Sequence, residues 1–219
     1  MAVAEETVTG KSGSHKWGNM YMNAKFLDLN PEWICEPKEV KKSDDQLEVI
    51  TESGTDLWQR TYYGFRNDNS PVFQIKTDER SFSFVVKTQF ESKDRFDQCG
   101  VVMYLDSDNW FKASIEYENE DIQRLGSVVT NNGYSDWATT DISSDVKEMW
   151  YRFSRRESDY CIECSEDGEH FRQMRIFHMF HGAESISFGI YACSPSTGSF
   201  KATFSNMLIS DCQWESEND

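Results

Sequence analysis

The sequence predicts an all-β protein, built as an antiparallel sandwich or barrel. Three observations predict this class. Runs in which apolar and polar residues alternate recur along the chain, and period two is typical of a half-buried strand. The sequence shows no strong amphipathic helix of four turns, and short polar segments that favour turns separate the runs.

Alternation justifies each predicted strand and is clearest at residues 81–91. One parity there reads Phe82, Phe84, Val86, Thr88 and Phe90, while the other is mixed. Because alternate side chains of a strand lie on opposite faces, one face of this strand is predicted to be buried. The other strong runs are residues 99–105, 110–117, 125–131, 149–156, 160–165, 171–176, 185–193 and 200–209. Shorter candidates are residues 20–28, 47–51 and 72–75.

Three connectors carry the residues that tight turns need. They are Asp106-Ser107-Asp108-Asn109, Asn131-Asn132-Gly133 and Ser165-Glu166-Asp167-Gly168. Between the early runs, Asn30-Pro31-Glu32 predicts a short helix that continues through Trp33 and ends by Pro37, since proline suits the first helical turn. The acidic residues 215–219 are expected to be frayed.

The charge balance excludes several classes of partner. Lys and Arg number 22 and Asp and Glu number 38, which gives a net charge of −16. A protein that neutralises phosphates needs a basic face, and a negative field repels DNA and anionic lipid surfaces. We therefore expect neither a nucleic-acid nor a membrane partner.

Length and composition favour a single domain over residues 1–219. No Pro/Gly/Ser-rich linker divides the chain, and all-β sandwiches of about 200–250 residues commonly form one unit. No stretch approaches the apolar length of a membrane span, and the N-terminus lacks the basic start and apolar core of a secretory signal. Six cysteines in apolar or mixed settings suit reduced thiols, so we expect a cytoplasmic protein.

The segment 108–117 carries the main candidate site. Alternation places Phe111, Ala113, Ile115 and Tyr117 on a core face and Trp110, Lys112, Ser114 and Glu116 on the other. A tryptophan beside charged and hydroxyl groups is what carbohydrate recognition uses, because the ring stacks on sugar C–H groups while the polar groups bond hydroxyls. The same pattern also fits a structural Lys/Glu ladder with a packed tryptophan.

Two more aromatic groups are expected to meet over this face. One contains Trp58, Thr61 and Tyr63 between Gly54 and Gly64, and the other runs from Thr130 through Asp136 to Trp137. Together they predict an aromatic-lined cleft with a few polar groups, the usual form of a small-ligand site. The alternative is that Trp58 and Trp137 only seal the ends of the sandwich. The candidate ligand-binding residues are Trp58, Thr61, Tyr63, Trp110, Lys112, Glu116, Thr130, Asp136 and Trp137.

Several blocks resemble a known family. The blocks are Gly54-Thr55-Asp56-Leu57-Trp58, Asp97-Gln98-Cys99-Gly100, residues 108–116, Ser127-Val128-Val129-Thr130, Ser135-Asp136-Trp137, residues 165–168 and Tyr191-Ala192-Cys193-Ser194-Pro195. They resemble the domain-of-unknown-function family that includes the regulation-of-enolase proteins, over about residues 22–209. That resemblance implies a concanavalin A-like jelly-roll β-sandwich of two antiparallel sheets, and it implies no activity.

Three functions are compatible with these observations. The first is a non-catalytic, lectin-type module for a saccharide or sugar-like ligand. The second is a cytosolic interaction or regulatory protein with a protein partner. The third is a glycoside hydrolase, suggested by Glu116, Glu118 and Glu120 at alternate positions, although Glu118-Asn119-Glu120-Asp121 fits a solvated turn better than a strand.

No cofactor or metal is expected. Cys161 and Cys164 have C-x-x-C spacing, but residues i and i+3 of a strand lie on opposite faces. His178 and His181 have no evident third ligand. Asp106-Ser107-Asp108-Asn109 lacks the Gly and distal Glu of a calcium loop, and no phosphate-binding Gly-rich motif occurs.

Overall fold

The alternating segments form two large antiparallel sheets. The computed structural model describes residues 23–215. Its strands are β1 (Ala24–Lys25), β2 (Glu32–Ile34), β3 (Glu39–Lys42), β4 (Gln46–Ile50), β5 (Leu57–Gln59), β6 (Arg66–Asp68), β7 (Val72–Thr77), β8 (Ser81–Phe90), β9 (Gln98–Asp106), β10 (Asn109–Tyr117), β11 (Ile122–Asn131), β12 (Tyr134–Ser143), β13 (Glu148–Arg156), β14 (Asp159–Ser165), β15 (Arg172–His178), β16 (Ile186–Cys193) and β17 (Lys201–Ser210). Every strong run therefore coincides with a strand.

The strand order separates the chain into two layers. Sheet I has the order β15-β14-β13-β8-β17-β4-β3, with β1 paired to β17. Sheet II has the order β12-β11-β10-β9-β16-β7-β2. Strands β5 and β6 form a separate two-stranded hairpin that extends neither sheet. The predicted jelly-roll sandwich of two antiparallel sheets is thus confirmed.

The main core lies between the sheets. Phe82, Phe84 and Phe153 of sheet I pack against Phe111 and Phe188 of sheet II, and all five are at most 2% exposed. Phe82 and Phe188 place their ring centroids 4.7 Å apart. Burial of each such side chain stabilises the fold by about 2–3 kcal/mol. The apolar side chains at alternate positions of each strand are therefore enough to form this core.

The three predicted turns connect paired strands. Residues 107–108 link β9 to β10, and residues 166–171 link β14 to β15. Between β11 and β12, Asn132 and Gly133 have φ values of 52° and 76°. Positive φ at both central residues is the signature of a type I′ hairpin, which suits the twist of antiparallel strands.

The predicted helix after Asn30 is wrong. Residues 32–34 form β2, which pairs with β7, and the ring centroids of Trp33 and Phe73 lie 4.5 Å apart. Asn30 adopts a φ of 52° and ends a 3-10 helix, Phe26–Leu29, that precedes it. Asparagine tolerates this left-handed conformation at a helix end. The segment that suggested a helix start is therefore a helix end.

The predicted strand over residues 20–28 is only partly correct. Residues 24–25 form β1, but Phe26 and Leu27 are both buried in the 3-10 helix. Two consecutive core residues do not fit a strand with one buried face. Residues 20–22 lie outside the described residues, as do the N-terminal segment considered for a signal and all but the first residue of the predicted frayed tail.

Besides β2, four strands were not predicted: β3, β5, β6 and β12. The most consequential is β12, which carries Trp137 and pairs with β11 along its whole length. Most of β12 is exposed, with Thr139, Thr140 and Asp141 all open to solvent. Because it is an edge strand, its sequence lacks the apolar period that identified the others.

Candidate functional site

The outer face of sheet II, which points away from sheet I, is partly covered by residues 52–71, here called the covering segment. This segment contains the β5–β6 hairpin. Side chains from the segment and the sheet form a second apolar group, which we call the outer cluster. Its members are Leu57, Trp58, Val72, Val102, Trp110, Val128, Tyr191 and Cys193.

Trp110 lies at the bottom of the outer cluster. It is 0% exposed, and its indole Nε1–H donates a hydrogen bond to the Ser107 carbonyl at 3.2 Å. The expected stacking of this ring on a ligand is therefore wrong, because the covering segment already occupies its face. Trp110 is instead a packed, structural tryptophan, which is the alternative that the sequence left open.

A cleft opens beside the outer cluster on the same face. Its volume is about 390 Å³, within the usual range for a small-ligand site. The lining residues are Asp56, Trp58, Tyr63, Phe65, Asn67, Phe96, Gln98, Lys112, Glu116, Trp137, Pro195 and Ser196. Aromatic rings form its walls, and charged and amide groups lie among them.

Strand β10 positions the charged groups of the cleft. Lys112 and Glu116 share the outer face with Trp110, and β9 places Gln98 directly opposite Glu116. The Lys112 Nζ donates to Gln98 Oε1 at 2.8 Å and lies 3.4 Å from Asp56 Oδ1. It also lies 5.8 Å from the ring centroid of Trp110. Lys112 is thus a buried cation that already has partners.

The charges of Lys112, Glu116 and Asp56 affect one another's pKa values within the cleft. Burial alone would lower the pKa of Lys112, but attraction to Asp56 and Glu116 outweighs it and raises that pKa above its ordinary value. Burial raises the pKa of Glu116 to about 7, and Lys112 opposes this shift by favouring the carboxylate. The Glu116 carboxyl therefore changes charge near neutral pH.

A second set of ions lies at the side of the cleft. Arg124 on β11 is the cross-strand neighbour of Glu116. Its guanidinium contacts Glu118 at 3.4 Å and lies 5.6 Å from the ring centroid of Trp137. Glu118 also pairs with Arg95 at 2.8 Å. Arg124 is consequently engaged by Glu118 and by the ring that forms one wall.

The aromatic walls come from two distant parts of the chain. Trp58 meets Trp137 edge-on with centroids 6.4 Å apart, and it meets Tyr63 at 5.5 Å. The loop after β5 is shaped by Arg60, Tyr62 and Gly64 at positive φ, and the Trp58 indole donates to the Thr61 carbonyl at 3.1 Å. Tyr63 is 52% and Phe65 is 46% exposed, so ring surface at the rim is available to a ligand.

Besides Trp110, three candidate residues do not line the cleft. Thr61 contributes its carbonyl to hold Trp58. Thr130 is fully buried and bonds the Ser135 hydroxyl at 2.8 Å. Asp136 has the opposite parity to Trp137, so it points to the other face of β12 and pairs with Arg175 at 2.9 Å. Thr130 and Asp136 therefore lie outside the cleft, while Trp58, Tyr63, Lys112, Glu116 and Trp137 line it together.

Sequence reasoning missed other lining residues. These are Asp56, Phe65, Asn67, Phe96, Gln98, Pro195 and Ser196. Gln98 had a usable signal, because it has the same outward parity on β9 as Lys112 has on β10. Asp56 and Asn67 lie on the covering segment, whose path over the sheet has no periodic signature in the sequence.

The glutamate pattern suggested for a hydrolase is not formed. Strand β10 ends at Tyr117 and β11 begins at Ile122. Asn119 Oδ1 accepts from the backbone amides of Asp121 and Ile122, which confirms the turn. Glu116, Glu118 and Glu120 therefore do not share one strand face.

The described residues form neither a metal-binding group of side chains nor a membrane-spanning helix. Across residues 23–215, no three or more His, Cys, Asp and Glu side chains are grouped so as to hold a metal ion. No helix within that range is long and apolar enough to cross a membrane.

Comparison with known proteins gives one family. A family model described as "Protein of unknown function (DUF1349)" matches residues 33–212. "Regulation of enolase protein 1" of Saccharomyces cerevisiae (strain ATCC 204508 / S288c) is 30% identical over 177 residues, which cover 81% of this chain and 87% of that protein.

Solved structures support the fold. A functionally unknown protein from Saccharomyces cerevisiae superposes with a TM-score of 0.79 at 28% identity, covering 86% of this chain and 99% of that one. A K247S mutant of the GH43 protein BlXynB from Bacillus licheniformis gives a TM-score of 0.66 at 17% identity, covering 86% of this chain and 38% of that one. The latter likeness concerns the fold alone.

Proposed function

This chain belongs to the DUF1349 family, and from that premise we propose that it is a non-catalytic binding module whose outer-face cleft takes a saccharide or a similar polyhydroxylated ligand. The observation that carries the proposal is the combination of ring surface and polar groups in one cleft. Trp58, Tyr63 and Trp137 supply ring surface for sugar C–H groups, while Asn67 and Glu116 supply hydrogen-bonding atoms.

The cleft is built in a way that supports binding. Lys112 and Glu116 lie on β10, an interior strand of sheet II, so the sheet holds them in place. Its rim is formed by exposed rings of the covering segment. A pre-formed cleft with aromatic walls and a few fixed polar groups is typical of small-ligand sites.

The test is a titration of the purified protein with neutral oligosaccharides, cellotetraose and xylotetraose among them, followed by tryptophan fluorescence and calorimetry. Trp58 and Trp137 lie in the cleft walls, so binding is expected to change their emission. Tyr63→Ala should weaken binding by roughly fivefold, since stacking rings contribute on the order of 1 kcal/mol.

Tyr134→Ala is the matched control. Tyr134 is 63% exposed and is not part of the cleft lining, so its loss should leave the affinity unchanged. Absence of any binding at millimolar saccharide, in a protein with an intact melting transition, would refute the proposal.

A regulatory role through a protein partner is the second candidate. It is supported by the name of the yeast relative and by exposed rings near the cleft, with Tyr62 at 93% and Tyr134 at 63% exposure. The cytoplasmic location that this role assumes is supported by the free thiols of the described cysteines. Retention of a stoichiometric partner by the wild type, lost in Tyr62→Ser, is the outcome that would favour it.

A further inference from the structure

Glu116 differs from the other ions of the cleft because its carboxylate has no hydrogen-bond or ion-pair partner among the described residues. It is 8% exposed and lines the cleft. Among residues 23–215, no side chain or backbone group donates a hydrogen bond to its carboxylate, and no cation lies within ion-pair distance of it. A buried carboxylate without a partner is costly, and here the space in front of it is the cleft.

The cations around Glu116 are paired with other carboxylates. Lys112 pairs with Asp56, Arg124 pairs with Glu118 and Asp141, and Glu118 also pairs with Arg95. The titratable groups that face Glu116 are Lys112, Glu118, Arg124, Asp56, Tyr191 and Cys193. Burial raises the pKa values of Tyr191 and Cys193 far above neutral, so both stay uncharged.

The surroundings also disfavour an anionic ligand. The Lys112 ammonium, the cation that lines the cleft, is 3% exposed and already contacts Asp56 and Gln98. The rings of Tyr63 and Phe65 line the cleft without a cation of the described residues over them, and aromatic rings attract organic cations. The net charge of −16 acts in the same direction over a longer range.

We propose that Glu116 is the anchoring group of the cleft and that the ligand it takes is an amino sugar, whose ammonium group completes the missing ion pair. This inference rests on the proposed saccharide site and names the class of saccharide. The ammonium donates to the Glu116 carboxylate, and the aromatic walls contact the sugar ring and surround the charge.

The experiment compares three ligands that differ at one position. They are methyl β-glucoside, its 6-amino-6-deoxy derivative and the corresponding glucuronide, which carry a hydroxyl, an ammonium and a carboxylate at C6. Affinities are measured by NMR titration and tryptophan fluorescence at pH 8, where Glu116 is ionised. We expect the amine to bind about tenfold more tightly than the hydroxyl and the carboxylate to bind most weakly.

Variants and pH separate the anchoring role from other causes. Glu116→Gln should abolish the preference for the amine while keeping weak binding of the neutral glucoside. Glu120→Gln, in the turn after β10 and exposed, is the matched control and should keep the full preference. Lowering the pH from 8 to 6 should reduce the preference several-fold, because Glu116 takes up a proton while an alkyl ammonium stays charged.

Each other outcome has a distinct meaning. Equal or tighter binding of the neutral glucoside at pH 8 overturns the inference and leaves the proposed saccharide site standing. A preference for the amine that survives Glu116→Gln also overturns it, since the charge would then be recognised elsewhere. Failure of all three ligands and of the neutral oligosaccharides overturns both the inference and the proposed function.

Discussion

The two faces of strand β10 are both buried, but by different parts of the molecule. On the inner face, Phe111, Ala113 and Ile115 are covered by sheet I. On the outer face, Trp110 is covered by the hairpin and loop of the covering segment, while Lys112 and Glu116 line a cleft. The two faces of an alternating strand can therefore contact different structures. Here one face packs against a sheet, and the other lies under a loop that leaves a cleft open.

The largest effects are expected at the two neighbouring aromatic residues of this strand. Trp110→Ala and Phe111→Ala each remove a side chain with 0% exposure and should each lower the free energy of unfolding by about 4 kcal/mol. Urea denaturation of the two variants measures this. A loss at Trp110 that is far smaller than at Phe111 would show that the outer cluster is not a second core.

The next effect tests the buried ions. Lys112→Met keeps most of the aliphatic stem but leaves Asp56 without its cation, so we expect a loss of about 3 kcal/mol in the free energy of unfolding. Asp56→Asn in the same background should restore part of it. Additive losses in this double-mutant cycle would mean that the 3.4 Å pair contributes no coupling.

Part of this architecture is readable in the sequence and part is not. The alternation of Phe82, Phe84 and Val86 identified the inner face. When one sheet packs on another, every second side chain of a strand is buried, and the sequence repeats with that period. The same alternation correctly placed Lys112 and Glu116 together. It could not reveal that Asp56 reaches them, because contact over a separation of 56 residues depends on a loop path with no period.

The third prediction concerns the pH dependence of stability. The pKa of Glu116 is about 7 in the folded protein and 4.5 in its ordinary state, so the folded state holds this proton more tightly. The free energy of unfolding should fall as pH rises from about 4.5 to about 7 and then level off, by on the order of 1–3 kcal/mol. Glu116→Gln should remove that fall and be more stable than wild type at pH 8.

Chemical denaturation at pH 4.5, 6, 7 and 8 measures this difference. Glu120→Gln again serves as the control, since it lies in an exposed turn. An identical pH profile for wild type and Glu116→Gln would contradict the burial of an unpartnered carboxylate in the cleft.

The smallest effect is expected at the rim. Tyr62 is 93% exposed, and Tyr62→Ser should change the free energy of unfolding by less than about 0.5 kcal/mol. A larger loss would mean that the loop after β5 helps to hold the covering segment on the sheet. Thermal unfolding, with Tyr134→Ser alongside, measures it.

The positions of β16 and β17 have a consequence for synthesis on the ribosome. β16 joins β9 to β7 within sheet II, and β17 joins β8 to β4 within sheet I. Until residues 186–210 leave the exit tunnel, each sheet remains in two pieces. The edge of β8 that pairs with β17 and the edge of β9 that pairs with β16 then have no partner. Unpaired edges of long strands favour contact with other chains, so the nascent protein should depend on chaperones more than its mature fold suggests.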